Sequence, residues 1–67
     1  MQVSLNGDDR ELAEGTTVAD LVMVVLDRSP KGLAVAVNEE VVPRSTWGTT
    51  ELKPHDRIEL LSAAQGG

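Results

Sequence analysis

Cysteine, phenylalanine and tyrosine are all absent from this 67-residue chain, and histidine and tryptophan occur once each. Without cysteine there is no disulfide framework, no thiolate metal site and no thiol nucleophile. A single imidazole cannot build a histidine-rich metal centre, so the usual staples of very small domains are missing. Basic residues are scarce too: 6 Lys and Arg face 11 Asp and Glu, for a net charge of −5. They are scattered, with no Phe or Tyr between them. Neither phosphate neutralisation nor base stacking is provided for, and no nucleic-acid partner is expected. The longest apolar run, residues 21–26, falls far short of the roughly 20 residues that cross a bilayer, so no membrane partner is expected. The opening residues alternate apolar and polar instead of building the basic start and apolar stretch of a secretory signal, which points to the cytoplasm.

What is present, 40% apolar and 25% charged residues, describes one small soluble domain. A chain this short buries only about 60% of its extended surface, so regular packing has to supply its stability.

Met1, Val3 and Leu5 alternate with polar residues and read as a strand. Asn6-Gly7-Asp8-Asp9 carries turn chemistry, since Asn and Gly tolerate positive φ, and residues 10–13 are expected to close a hairpin. Thr17 and Asp20 frame a helix start in which hydroxyl and carboxylate each satisfy a free backbone N–H. Val18, Leu21, Val22, Val25 and Leu26 then recur at helical spacing, and Ser29-Pro30-Lys31-Gly32 stops the helix. Leu33–Val37 is apolar throughout and reads as a strand buried on both faces. A turn at Asn38-Glu39-Glu40 and an edge strand at Val41-Val42 follow, the latter confined by Pro43. Then come an irregular stretch anchored by Trp47 and Leu52, a turn at residues 53–56 and a last strand at 57–60.

This order predicts a two-layer α+β domain over residues 1–61. The helix lies across one sheet face, on Val3, Leu5, Val35, Val37, Ile58 and Leu60, and residues 62–67 form a flexible tail.

Within the domain no catalytic group or metal site is expected. His55 reads as a turn residue, and Ser29, Ser45 and Ser62 have no base nearby in sequence. Asp8-Asp9 and Glu39-Glu40 read as solvated turn charges, because neither doublet belongs to a ladder of cation ligands. Trp47 reads as core.

The tail, Ser62-Ala63-Ala64-Gln65-Gly66-Gly67, has no side-chain charge and no large apolar group. Its functional reading makes the Gly67 carboxylate the reactive group. Gly66, Gln65 and Ala64 keep the strip slim enough to enter another protein's active site, where the missing Cβ of glycine avoids clashes. A carboxylate can attack phosphorus at neutral pH, yet it must be activated before it accepts a nucleophile. The chain offers no groups for that step. No intrinsic cofactor is therefore expected, and ATP, Mg²⁺ and any persulfide belong to partners.

Taken together, the strand order and Gly66-Gly67 make the chain similar to the ubiquitin-like β-grasp superfamily. It more closely resembles the ThiS family, the sulfur carriers of thiamine biosynthesis. The pieces that carry the resemblance are Met1-Gln2-Val3 through Asn6-Gly7, Gly15-Thr16-Thr17-Val18 with Leu21, and Ala36-Val37-Asn38 with Val42-Pro43-Arg44 and Trp47. They continue with Asp56-Arg57-Ile58-Glu59 and end on Ala64-Gln65-Gly66-Gly67. A Gly-Asp pair commonly precedes the last strand in that family, where this chain has His55-Asp56. The small Ser62-Ala63-Ala64 likewise replaces residues that are often β-branched.

The resemblance implies a mixed five-strand sheet with one main helix on one face and the last strand near the middle. It implies a carrier and not an enzyme. It further implies that Gly67 is adenylated by an E1-like adenylyltransferase, converted to a thiocarboxylate with persulfide sulfur from a cysteine desulfurase, and presented to thiazole synthase. Three alternatives stand beside this: a sulfur carrier for molybdopterin or another sulfur-containing metabolite, a ubiquitin-like protein modifier, and a plain interaction domain with an incidental tail.

Overall fold

The computed structural model describes residues 1–25 and 32–62. Strands β1 (Gln2–Leu5), β2 (Asp8–Glu11), β3 (Leu33–Val37), β4 (Glu40–Val42) and β5 (Arg57–Ser62) form one sheet, and helix α1 (Val18–Val25) follows β2. The sheet order is β2-β1-β5-β3-β4. β1 runs parallel to β5 and antiparallel to β2, while β3 is antiparallel to both β5 and β4. The last strand is thus central, as the resemblance implied.

Both hairpins close through a pair of residues at positive φ, the geometry whose twist matches that of the flanking strands. In the first these are Asn6 (φ 50°) and Gly7 (φ 90°), with Leu5 opposite Asp8. Two residues are enough to reverse the chain, so Asp8 and Asp9 belong to β2 and not to the turn. The strand accordingly begins before the expected residues 10–13. All of β2 is exposed, and its charges line an outer edge that would otherwise invite pairing with another chain. The second hairpin turns at Asn38 (φ 53°) and Glu39 (φ 71°), and Glu40 opens β4 opposite Val37 instead of ending the turn. β4 is an edge strand, with Pro43 just beyond it.

Helix α1 starts as its sequence indicates. The Asp20 N–H donates to Thr17 Oγ1 and the Thr17 N–H to Asp20 Oδ2, both at 3.1 Å, a reciprocal cap. Val18, Leu21 and Val22 are buried, while Met23 and Val24 are 61% and 76% exposed. The helical stripe therefore has one inner face. Leu26 and the expected stop at residues 29–32 fall mainly outside the described residues; only Gly32, in a turn at φ 74°, is described.

Helix α1 covers one face of the sheet, and this corrects the reading of β3. Leu33 and Val35 are buried but Ala34 is exposed and Ala36 only half-buried. Among the described residues no second layer covers the alanines, so an apolar run here does not mean burial on both sides. The stretch after β4 is also more regular than expected, with Arg44–Thr49 forming a 3₁₀ helix. Trp47 is buried in the core, its indole N–H donating to the Val42 carbonyl at 2.9 Å. The Arg44 guanidinium lies 4.8 Å from the ring centroid, a cation–π distance. Leu52 is buried too, held where its N–H donates to Thr16 O and the Val18 N–H donates to Thr50 O, each at 2.9 Å. Val3, Leu5 and Ile58 complete the buried core, with Val37 and Leu60 partly buried at its margin. Among the described residues no helix is long and apolar enough to cross a membrane.

Candidate functional site

Central placement makes β5 the element that carries the chain toward its last residues. Ala64, Gln65, Gly66 and Gly67, the expected reactive end, lie outside the described residues, and β5 is the last described element before them. β5 is paired through to Ser62, which lies opposite Leu33. Successive residues address opposite neighbours, as a pleated strand requires. Toward β1, the Asp56 carbonyl accepts from the Ser4 N–H at 2.9 Å and the Ile58 carbonyl from the Asn6 N–H at 2.8 Å. Toward β3, the Arg57 carbonyl accepts from the Asn38 N–H at 2.7 Å.

Two asparagine side chains extend this pairing where strand backbone has run out. At the start of β5, Asn38 Oδ1 accepts from the Arg57 N–H at 2.9 Å, and Asn38 Nδ2 donates to Asp56 Oδ1 at 2.9 Å. Near its end, Asn6 Oδ1 accepts from the Leu60 N–H at 2.9 Å and Asn6 Nδ2 donates to the Leu60 carbonyl at 3.4 Å. The sequence reading takes both residues as turn formers and misses this second role. The available signal is chemical: asparagine tolerates positive φ and also carries a peptide-like amide.

Asp56 is the one buried charged side chain among the described residues. Its Oδ2 accepts from the Lys53 N–H at 2.8 Å, so both oxygens are bonded and the carboxylate organises the turn into β5. His55 sits in that turn at φ 70°, a conformation that glycine adopts without steric cost. It is a turn residue, as expected, and lies at the opposite end of β5 from Ser62. A groove of about 380 Å³ between β4 and the segment around Lys53 is lined in part by Asn38, Val42, Pro43 and Asp56. Its buried acid is already committed to internal partners. On the sheet face away from the helix, Leu61 and Val41 are 64% and 74% exposed, opposite Ala34 and Ala36 in register. Among the described residues no three His, Cys, Asp or Glu side chains gather as a metal site would need.

This architecture has close counterparts. The chain is 34% identical to the sulfur carrier protein ThiS of Escherichia coli (strain K12) over 67 residues, covering all of both chains. It is 37% identical over 67 residues to a thiazole synthase of Magnetococcus marinus, a match that takes in all of this chain and 20% of that protein. The crystal structure of the thiamine biosynthesis protein ThiS from Geobacter metallireducens superposes with a TM-score of 0.82 at 26% identity, over 92% of this chain and 93% of that one. Residues 3–67 match the ThiS family model, and with the shared ubiquitin-like sheet order this establishes that the chain belongs to the ThiS family.

Proposed function

We propose that this ThiS-family chain is the sulfur carrier for the thiazole moiety in thiamine biosynthesis, with the carboxyl of Gly67 as the group that is charged and discharged. The observation that carries the reading is the match along all of the E. coli sulfur carrier. A central strand that leads straight to the last residues supports it, because a rigid sheet holds the base of a segment whose tip must work inside a partner.

A Gly67 carboxylate oxygen attacks the α-phosphorus of ATP on an E1-like adenylyltransferase, forming an acyl adenylate and releasing pyrophosphate. Mg²⁺ and the phosphate-binding groups belong to that enzyme. The terminal sulfur of a desulfurase-derived cysteine persulfide displaces AMP to give an acyl disulfide, and a second thiol of the partner attacks the cysteine sulfur, forming a disulfide with it and releasing the thiocarboxylate. Thiazole synthase then takes the sulfur, and an oxygen from the acceptor substrate or from water replaces it on the acyl carbon, so that the carboxylate returns. A thiazole synthase that contains a stretch similar to this whole chain supports that acceptor. The carrier is a cosubstrate of cytoplasmic enzymes and turns over none of the chemistry itself. Gly66, Gln65 and Ala64 form the slim strip that threads the active site.

Intact mass spectrometry after incubation with the E1-like enzyme, ATP and a sulfur source tests the reading. The expected result is a gain of about 16 Da, oxygen replaced by sulfur, located at Gly67. An unchanged mass, under conditions that convert the E. coli relative, overturns it.

A further inference from the structure

We propose that Asn6 is a positioning residue for the C-terminal acyl group: its carboxamide stands in for the strand that β1 fails to provide and fixes the backbone of β5 at Leu60. This rests on the carrier reading above. β1 pairs with β5 only at Ser4↔Arg57 and Leu5↔Ile58, because the chain reverses at Asn6-Gly7. Asn6 still donates its backbone N–H to Ile58 O at 2.8 Å. The next β5 groups facing that side are the N–H and carbonyl of Leu60, and no backbone of β1 remains to meet them. The Asn6 side chain supplies both an acceptor at 2.9 Å and a donor at 3.4 Å, as a peptide group would.

Leu60 is seven residues before Gly67. A bond there holds β5 to the sheet on its β1 side two residues before the strand ends at Ser62, while β3 holds the other side through Ser62. Releasing it lets the strand end peel from one side, so fewer molecules present the acyl group in line with a partner's active site. Apparent affinity falls in proportion to the competent fraction, while the rate at saturation is kept.

The competing view is that Asn6 serves only its positive φ. Asn6→Gly separates the two, since glycine adopts φ 50° freely and has no amide, and Asn6→Asp keeps both the turn and an acceptor for the Leu60 N–H. Native-state hydrogen exchange and steady-state thiocarboxylate formation, with the E1-like enzyme, ATP and inorganic sulfide, are measured on the full chain for all three proteins. In Asn6→Gly the Leu60 amide is expected to exchange roughly tenfold faster. The Arg57 amide, held by Asn38, should stay near wild type. The apparent KM for the carrier should rise about threefold or more with kcat within about twofold, and Asn6→Asp, which keeps the acceptor but turns a carboxylate oxygen toward the Leu60 carbonyl, should recover only part of both effects.

Equal acceleration at Leu60 and Arg57 reports general loss of stability and overturns the proposal. So does a faster Leu60 amide with an unchanged KM. Should the wild-type chain gain no sulfur, the carrier reading falls and the acyl-positioning role with it, whereas the exchange pattern still decides whether Asn6 clamps the strand.

Discussion

Asp56 and His55 are neighbours with opposite energetics. Asp56 is buried, with one oxygen on Asn38 Nδ2 and the other on the Lys53 N–H. Asp56→Ala leaves both donors without their acceptor and is expected to cost about 2–3 kcal/mol in urea unfolding. Asp56→Asn keeps one acceptor and should lose about half of that. An alanine variant as stable as wild type would show that water serves the turn equally well. His55, at φ 70°, carries a left-handed penalty of about 1–2 kcal/mol that glycine escapes, offset in part by the greater entropy glycine loses on folding. His55→Gly should therefore raise stability by about 0.5–1 kcal/mol, a shift of a few degrees in Tm; a lower Tm would mean that the imidazole makes up for its backbone. The sequence shows a histidine before Asp56, but the backbone angle that gives it meaning depends on where Asp56 and Gln2 hold the turn, the latter by accepting from the His55 N–H at 2.7 Å.

At the scale of elements, helix α1 is the part most legible in the residues. Its cap and its inner stripe are local patterns, set by chain geometry within a few positions. Thr17→Ala is expected to cost about 1 kcal/mol by leaving the Asp20 N–H uncapped, while Thr17→Ser, which keeps the hydroxyl, should stay within a few tenths. Thermal denaturation of the pair checks this, and equal losses would point to the Thr17 methyl instead. The strands were harder to read, for separate reasons. β2 is entirely charged and exposed, so nothing apolar marks it, and it exists because the Asn6-Gly7 turn lays it beside β1. β3 is apolar at every position, yet its buried face depends on which side of the sheet the helix occupies. Residues 44–49 carry no helical stripe at all, and the 3₁₀ turn is held by local hydroxyl bonds, such as Thr46 Oγ1 to Pro43 O at 3.0 Å, and by the buried indole.

For the whole molecule, the consequence of the sheet order is mechanical: β5 has a neighbour on each side, so the last strand before the proposed acyl-bearing residue is the middle strand of the sheet. One residue appended after Gly67 should then abolish the gain of about 16 Da while leaving Tm within about a degree, because the addition lies beyond the folded sheet. Intact mass and a thermal melt on the extended protein check both halves, and sulfur gained by that protein would contradict the assignment of Gly67. Composition, turn residues and the helix cap are enough to indicate a small α+β domain, since each is a property of a residue and its near neighbours, while the carrier reading rests on the resemblance that those pieces and the Gly66-Gly67 end carry together. Which asparagine braces which strand, which face of β3 is dry and where Leu60 is held are set by contacts across the fold: Asn6 lies 54 positions from Leu60 in the chain. No local pattern encodes such a meeting; it follows from a hairpin folding back beside a strand that is made last.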